Sequence, residues 1–211
     1  MAVVGSIHIL TDRKAKVLTA LKASLRAYES VISPDDAKKV GSLIDGEVFE
    51  TVYNACADEL SQDIAISLSD DYVSVCYEDI ELSELEKNAV GFCEAFEKPT
   101  LYGAIIDDDS AVFGVCRNGK LRTRLTLGEY LDELDLAEEK INMDELAHVF
   151  NAHNLTDLNE CRDVAELCYA LDEDYGINPE LSPLSLPLYS DEYKLLEKSK
   201  TFSVYSSLTN G

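Results

Sequence analysis

The chain has 211 residues and carries 41 Asp and Glu against 18 Lys and Arg, a net charge of −23. Charge of that sign and size repels nucleic-acid backbones and anionic membranes and favours basic surfaces, so neither nucleic acid nor membrane is an expected partner. Hydrophobic residues make up 46%, an ordinary share that sets the chain apart from acidic disordered sequences and leaves enough apolar material for a core.

In chain order, Val3–Leu10 reads as a strand. From about Arg13 to Glu29 the period turns helical, with Val17, Leu18, Leu21, Leu25 and Tyr28 on one face and Arg13, Lys14, Lys16, Lys22 and Arg26 on much of the rest. Ser33-Pro34-Asp35-Asp36 is a helix-start signal, and a second helix is expected over Gly46–Leu60, with Val48, Val52, Cys56 and Leu60 in register. Ile64–Leu68 and Tyr72–Tyr77 are β-like runs joined by Ser69-Asp70-Asp71, the pattern of a hairpin. Ser83-Glu84-Leu85-Glu86 matches a capping box and opens a helix that Lys98-Pro99 closes near Phe96.

Leu101–Ile106 and Ala111–Cys116 read as strands on either side of Asp107-Asp108-Asp109-Ser110. Asn118-Gly119 is a strong hairpin signal, and Lys120–Leu125 completes a meander. Its last strand alternates Leu121, Thr123 and Leu125 with Arg122 and Arg124, which predicts one wet face. Thr126-Leu127-Gly128-Glu129 resembles another capping box. Beyond it the chain reads as helical and acidic. Residues 129–197 hold 19 carboxylates against Lys140, Arg162 and Lys194. Helices are expected from Asn142 to Phe150, from Asp163 to a C-cap at Gly176, and over Asp191–Lys198, with a final strand over Thr201–Leu208.

The fold class that follows is α+β. An antiparallel sheet, the hairpin 64–77 plus the meander 101–125, packs against helices. Residues 1–127 form an α+β core, and residues 128–211 form an acidic helical region, either an appended subdomain or a layer over the sheet.

Chemical motifs are sparse. Cys56, Cys76, Cys93, Cys116, Cys161 and Cys168 form no Cys-x-x-Cys pair and often have apolar neighbours, which reads as free thiols in a reducing cytoplasm. The first ten residues lack a signal-peptide pattern, and no apolar run is long enough to span a membrane, so the expected location is cytoplasmic. Asp107-Asp108-Asp109 is the densest carboxylate turn and could attract a hard cation, yet it lacks the ligand pattern of a calcium loop and reads as a solvated turn. His8 sits in an apolar strand. His148 and His153 are five apart, off one helix face, and with Cys161 and Cys168 they match no zinc spacing. The sequence holds no Gly-x-Ser-x-Gly elbow, no phosphate-binding glycine loop and no cofactor motif.

Arg117, Lys120, Arg122 and Arg124 cluster on the meander, where they are expected to face the chain's own acidic half. The acidic surface is expected to dock a basic protein partner, through Glu129, Tyr130, Asp132, Glu133 and Asp135 and through Tyr169, Asp172, Glu173, Asp174 and Tyr175. A bacterial immunity or antitoxin-like inhibitor has this profile. The alternative is an enzyme or small-ligand binder whose site is assembled from dispersed residues.

Overall fold

The structure, a computed structural model, describes residues 3–29, 64–106, 109–129, 131–132, 135–150, 155–179, 182–183, 185–188, 192–198 and 202–208. Strand β1 (Val3–Leu10) leads into helix α1 (Lys14–Glu29). The hairpin β2 (Ile64–Leu68) and β3 (Tyr72–Tyr77) is followed by α2 (Leu82–Phe96). The meander β4 (Thr100–Ile106), β5 (Ser110–Cys116) and β6 (Leu121–Gly128) comes next, then α3 (Met143–Phe150) and α4 (Val164–Tyr175). Strands β7 (Tyr193–Lys198) and β8 (Phe202–Ser207) close the described chain. The expected helix start at Ser33 and the helix over Gly46–Leu60 lie outside the described residues.

All of these strands join one sheet in the order β6-β5-β4-β1-β3-β2-β8-β7. Every pairing is antiparallel except that of β2 with β8. The architecture is therefore α+β around a mostly antiparallel mixed sheet. The central strands are covered on both faces. Tyr102, Ala104 and Ile106 of β4 point into a core with Val17, Leu21 and Leu25 of α1 and Leu85, Ala89 and Phe92 of α2. Leu101 and Ile105 of the same strand point the other way, towards Leu146 and Val149 of α3 and Val164, Leu167 and Leu171 of α4. Burial on both sides explains why β4 and β5 read as continuous apolar runs and not as alternating ones.

The β5–β6 hairpin turns at Asn118 and Gly119, whose φ angles of 55° and 64° are the left-handed pair that a tight type I′ turn requires. Helix α4 begins as its sequence predicts: Asp163 Oδ1 accepts the Glu166 backbone N–H at 2.9 Å, and Gly176 ends the helix by donating to Asp172 O at 3.1 Å.

Three local expectations are corrected. Residues 193–198 are an edge strand, not a helix, because β8 supplies a pairing partner that the local pattern cannot reveal. Helix α2 starts at Leu82, one residue before the Ser83 box, with Glu81 at its N-cap and no side-chain cap. The Glu86 carboxylate does not reach back to Ser83, because it binds Tyr102 and Arg124. Thr126 starts no helix either: it lies inside β6, its hydroxyl donates to Ala137 O at 2.8 Å, and its Oγ1 accepts the Glu139 N–H at 2.7 Å.

Those Thr126 bonds have a larger consequence. Together with Thr126 N–H to Glu139 O at 3.1 Å and Asn142 N–H to Thr123 Oγ1 at 2.7 Å, they lay residues 137–142 along the outer edge of β6 and seal that end of the sheet. The C-terminal third thus includes an edge cap and two strands of the sheet besides its helices.

Candidate functional site

The acidic region forms a groove beside α4. Its far wall is the segment 155–161, built around a single 3₁₀ turn at Leu158–Glu160. Asp157 fixes that turn by accepting the Asn159 N–H at 3.0 Å, and Leu158 anchors it in the core. The segment is tied to the end of α4 at two points. The Tyr175 hydroxyl donates to Thr156 O at 2.8 Å, and the Thr156 hydroxyl donates to Asp174.

Between the walls lies a cavity of about 490 Å³ lined by Asp157, Glu160, Glu166 and Asp174, with Cys161, Thr156, Ala165, Ala170 and Tyr169 completing it. Tyr169 is 69% exposed, the most exposed large hydrophobic side chain among the described residues. The groove therefore sets an exposed aromatic side chain in a lining that includes four acidic residues. The neighbouring cation is Arg162, which holds Glu166 through Nε at 3.2 Å and through Nη2, and which draws the Glu166 carboxyl below the usual carboxylate range. Burial pushes the Cys161 thiol up, and the negative field of Glu166, Asp157 and Asp163 adds to that shift. Burial also raises Asp172, with Glu192 as the second cause.

The residues expected to meet a partner separate into groups. Tyr169 and Asp174 line the groove, and the exposed Asp172 and Glu173 lie on the same helix. Glu129, Asp132 and Asp135 are exposed but do not line it. Tyr130 and Glu133 lie outside the described residues, as do Asp107 and Asp108 of the carboxylate turn. Tyr175 is corrected: it is buried, its ring stacks edge-on against Phe150 at 5.0 Å between centroids, and its hydroxyl is spent on Thr156. It braces the groove from beneath and offers no face to a partner.

Asp157, Glu160, Cys161 and Glu166 were not among the expected contacts. A helical-face signal existed for part of the set. Ala165, Glu166, Tyr169 and Ala170 recur at steps of three and four, and Asp174 continues the Glu166–Ala170 row by one more turn.

Two of the basic meander residues, Arg117 and Arg124, reach the acidic half, and Arg124 also pairs within the core. Arg117 Nη2 meets Glu145 Oε2 at 2.9 Å, and Arg124 bridges Glu86, at 3.1 Å from Nη1, and Glu139. Arg124 is correspondingly tucked in, at 22% side-chain exposure, and not on a wet face.

A serine–histidine contact also occurs. His8 Nε2 lies 2.9 Å from Ser6 Oγ, and His8 Nδ1 lies 2.8 Å from Ser74 Oγ. A hydroxyl on one ring nitrogen and an orienting group on the other is the arrangement of a nucleophile and its base. Here Ser6 is fully buried, His8 is 2% exposed, and desolvation takes the imidazole down to about 3, so it stays neutral. The trio reads as a satisfied polar strip in the core. Among the described residues no group of three His, Cys, Asp or Glu side chains is placed to hold a metal, and no helix is long and apolar enough to cross a membrane.

A scan against protein-family models and searches of curated proteins and of solved structures find no match to this chain.

Proposed function

We propose that this chain is a non-enzymatic interaction protein that docks a basic protein partner, as an immunity or antitoxin-like inhibitor does, and that the groove beside α4 is where it does so. The observation that carries the reading is Tyr169, left 69% exposed among Asp157, Glu160, Glu166 and Asp174. Tyrosine brings contact area at low entropic cost, and it is enriched at the centres of interfaces. The surrounding carboxylates would steer a Lys- or Arg-rich surface into place and discriminate against acidic competitors. Location in the cytoplasm, expected from the free thiols, fits a partner met before secretion or inside the same cell.

The test compares the native chain with two variants as bait for basic proteins from its source cells, at low and high salt. One variant is Tyr169→Ala and the other is Asp157→Asn with Glu160→Gln and Asp174→Asn. The expected result is a basic protein that salt releases and that both variants bind at least about tenfold more weakly, the effect of losing one interfacial anchor. Equal retention of that protein by all three baits would overturn the assignment of the groove.

A further inference from the structure

The two ends of the sheet are treated differently. The β6 edge is sealed by residues 137–142, as described above. At the other end β7 is the terminal strand, bonded to β8 on its inner side alone among the described residues. An exposed edge strand is a template for another strand, and proteins usually blunt it. This one carries two lysines and a bulge, which are devices of that kind, and yet keeps two leucines exposed between the charges. Leu195 is 47% exposed and Leu196 is 53% exposed. Leu208, at 46%, follows β8 at the far end of the same hairpin, where its N–H donates to Glu192 O and extends the β7–β8 ladder. These three and Tyr169 are the exposed large hydrophobics among the described residues, so the apolar surface outside the groove gathers at this one edge.

The charges on β7 suit a particular partner. A two-fold antiparallel pairing of the segment with itself, centred between Leu195 and Leu196, sets each Leu195 opposite the other copy's Leu196. It also sets Lys194 opposite Glu197 twice. Residues opposite one another in such a pair must share a face, and an odd spacing of three would ordinarily split them. The bulge between Leu195 and Glu197 removes that conflict. Lys194 is registered on Ser206 and Glu197 on Val204, two residues apart on β8, so both project to the face that α1 covers. Glu197 is held on that face by Lys22 of α1. Self-complementarity of this kind is what an isologous two-fold interface requires.

We propose that the β7 edge pairs antiparallel with the β7 edge of a second copy of this chain, joining two sheets into one continuous sheet across a dimer. The occupant is a second copy, because the charge pattern is complementary to itself. This inference is independent of the groove beside α4.

Sedimentation equilibrium of the full chain over a wide concentration range tests it. The wild type is expected to dimerise, and Lys194→Glu to weaken the dimer at least tenfold by setting Glu against Glu197. Leu196→Asp, at an exposed position, is expected to give monomer, with circular dichroism confirming the fold of each variant. A wild-type chain that stays monomeric at every concentration overturns the proposal. So does a dimer that neither Lys194→Glu nor Leu196→Asp weakens.

Discussion

The Tyr102 hydroxyl donates to Glu86 Oε2 at 2.6 Å, which joins β4 to α2. Tyr102 of β4, Gly114 of β5 and Arg124 of β6 stand in register on one face of the sheet, and the ring of Tyr102 lies over Gly114. A Cβ at position 114 would fall inside that ring, so glycine is what lets a tyrosine on one strand reach a carboxylate on the helix above the next. Gly114→Ala is expected to expel the ring and cost about 2–3 kcal/mol, the range of an overpacked core. Tyr102→Phe, which keeps the ring and loses one hydrogen bond, is expected to cost about 1 kcal/mol. Urea denaturation of both variants checks the order. A Gly114→Ala protein as stable as wild type would contradict the geometry.

Arg124 then holds three parts together: Glu86 on α2, Glu139 on the edge cap, and its own strand. Arg124→Gln is expected to lower stability by about 1–2 kcal/mol, the scale of hydrogen bonds to a charged group, reduced by partial exposure to water. A sharper expectation concerns location. Hydrogen exchange should accelerate at Thr126 and Glu139, whose amides join the cap to β6, before it changes at the β1–β3 pair. Uniform acceleration over the whole sheet would assign Arg124 a global role instead.

His8 makes stability depend on acid. Its folded pKa is lowered from 6.5 to about 3 by burial, so the unfolded chain binds a proton between those values that the folded chain does not. The stability His8 contributes is therefore complete above about 6.5 and is lost as pH falls towards 3, at about 1.4 kcal/mol per pH unit in between. Replacing it by His8→Gln, which can still bond Ser6 and Ser74, is expected to flatten that slope while lowering stability at neutral pH. Denaturation midpoints measured from pH 4 to pH 7 for both proteins give the two slopes, and parallel slopes would refute the assignment.

Cys161 offers a probe of the groove. Of the five described cysteines it is the one that is not buried. A thiol raised by burial and by neighbouring carboxylates is slow to form the reactive thiolate at neutral pH. Alkylation of the native chain is therefore expected to modify Cys161 ahead of Cys76, Cys93, Cys116 and Cys168, to quicken with rising pH, and to be slower with an anionic reagent than with a neutral one. Peptide mapping reads all three. Faster reaction at Cys93 or Cys116 would show that the core opens more readily than the groove.

The legibility of this chain follows the reach of its interactions. Strands β1, β4 and β5, the turn at Asn118-Gly119 and the Asp163 cap are each specified by neighbours in sequence, and their sequence patterns identified them. Residues 193–198 did not read as a strand, because three charges and two leucines in six positions suit a helix until Ser203–Ser207 arrives alongside. Glu86 looked like a capping residue because nothing local announces Arg124, which lies 38 positions away. The acidity of residues 129–197 was evident, but the groove itself was not. Asp157 and Glu160 carry no periodic pattern of their own, and only the tie from Tyr175 to Thr156 sets their segment against α4 as a wall.

The one parallel pairing sets a schedule for how the protein comes to be. Strand β2 lies between β3, made moments later, and β8, made after nearly everything else. Ile64 and Ile66 must wait for Phe202 and Val204 before their side of the sheet is closed. During synthesis at roughly 5–20 residues per second, the nascent chain therefore carries a raw β edge in the middle of its future core for several seconds or longer. A ribosome-bound intermediate of this protein should be a strong client for holding chaperones, and a stall late in translation should leave a species prone to joining others of its kind through β2.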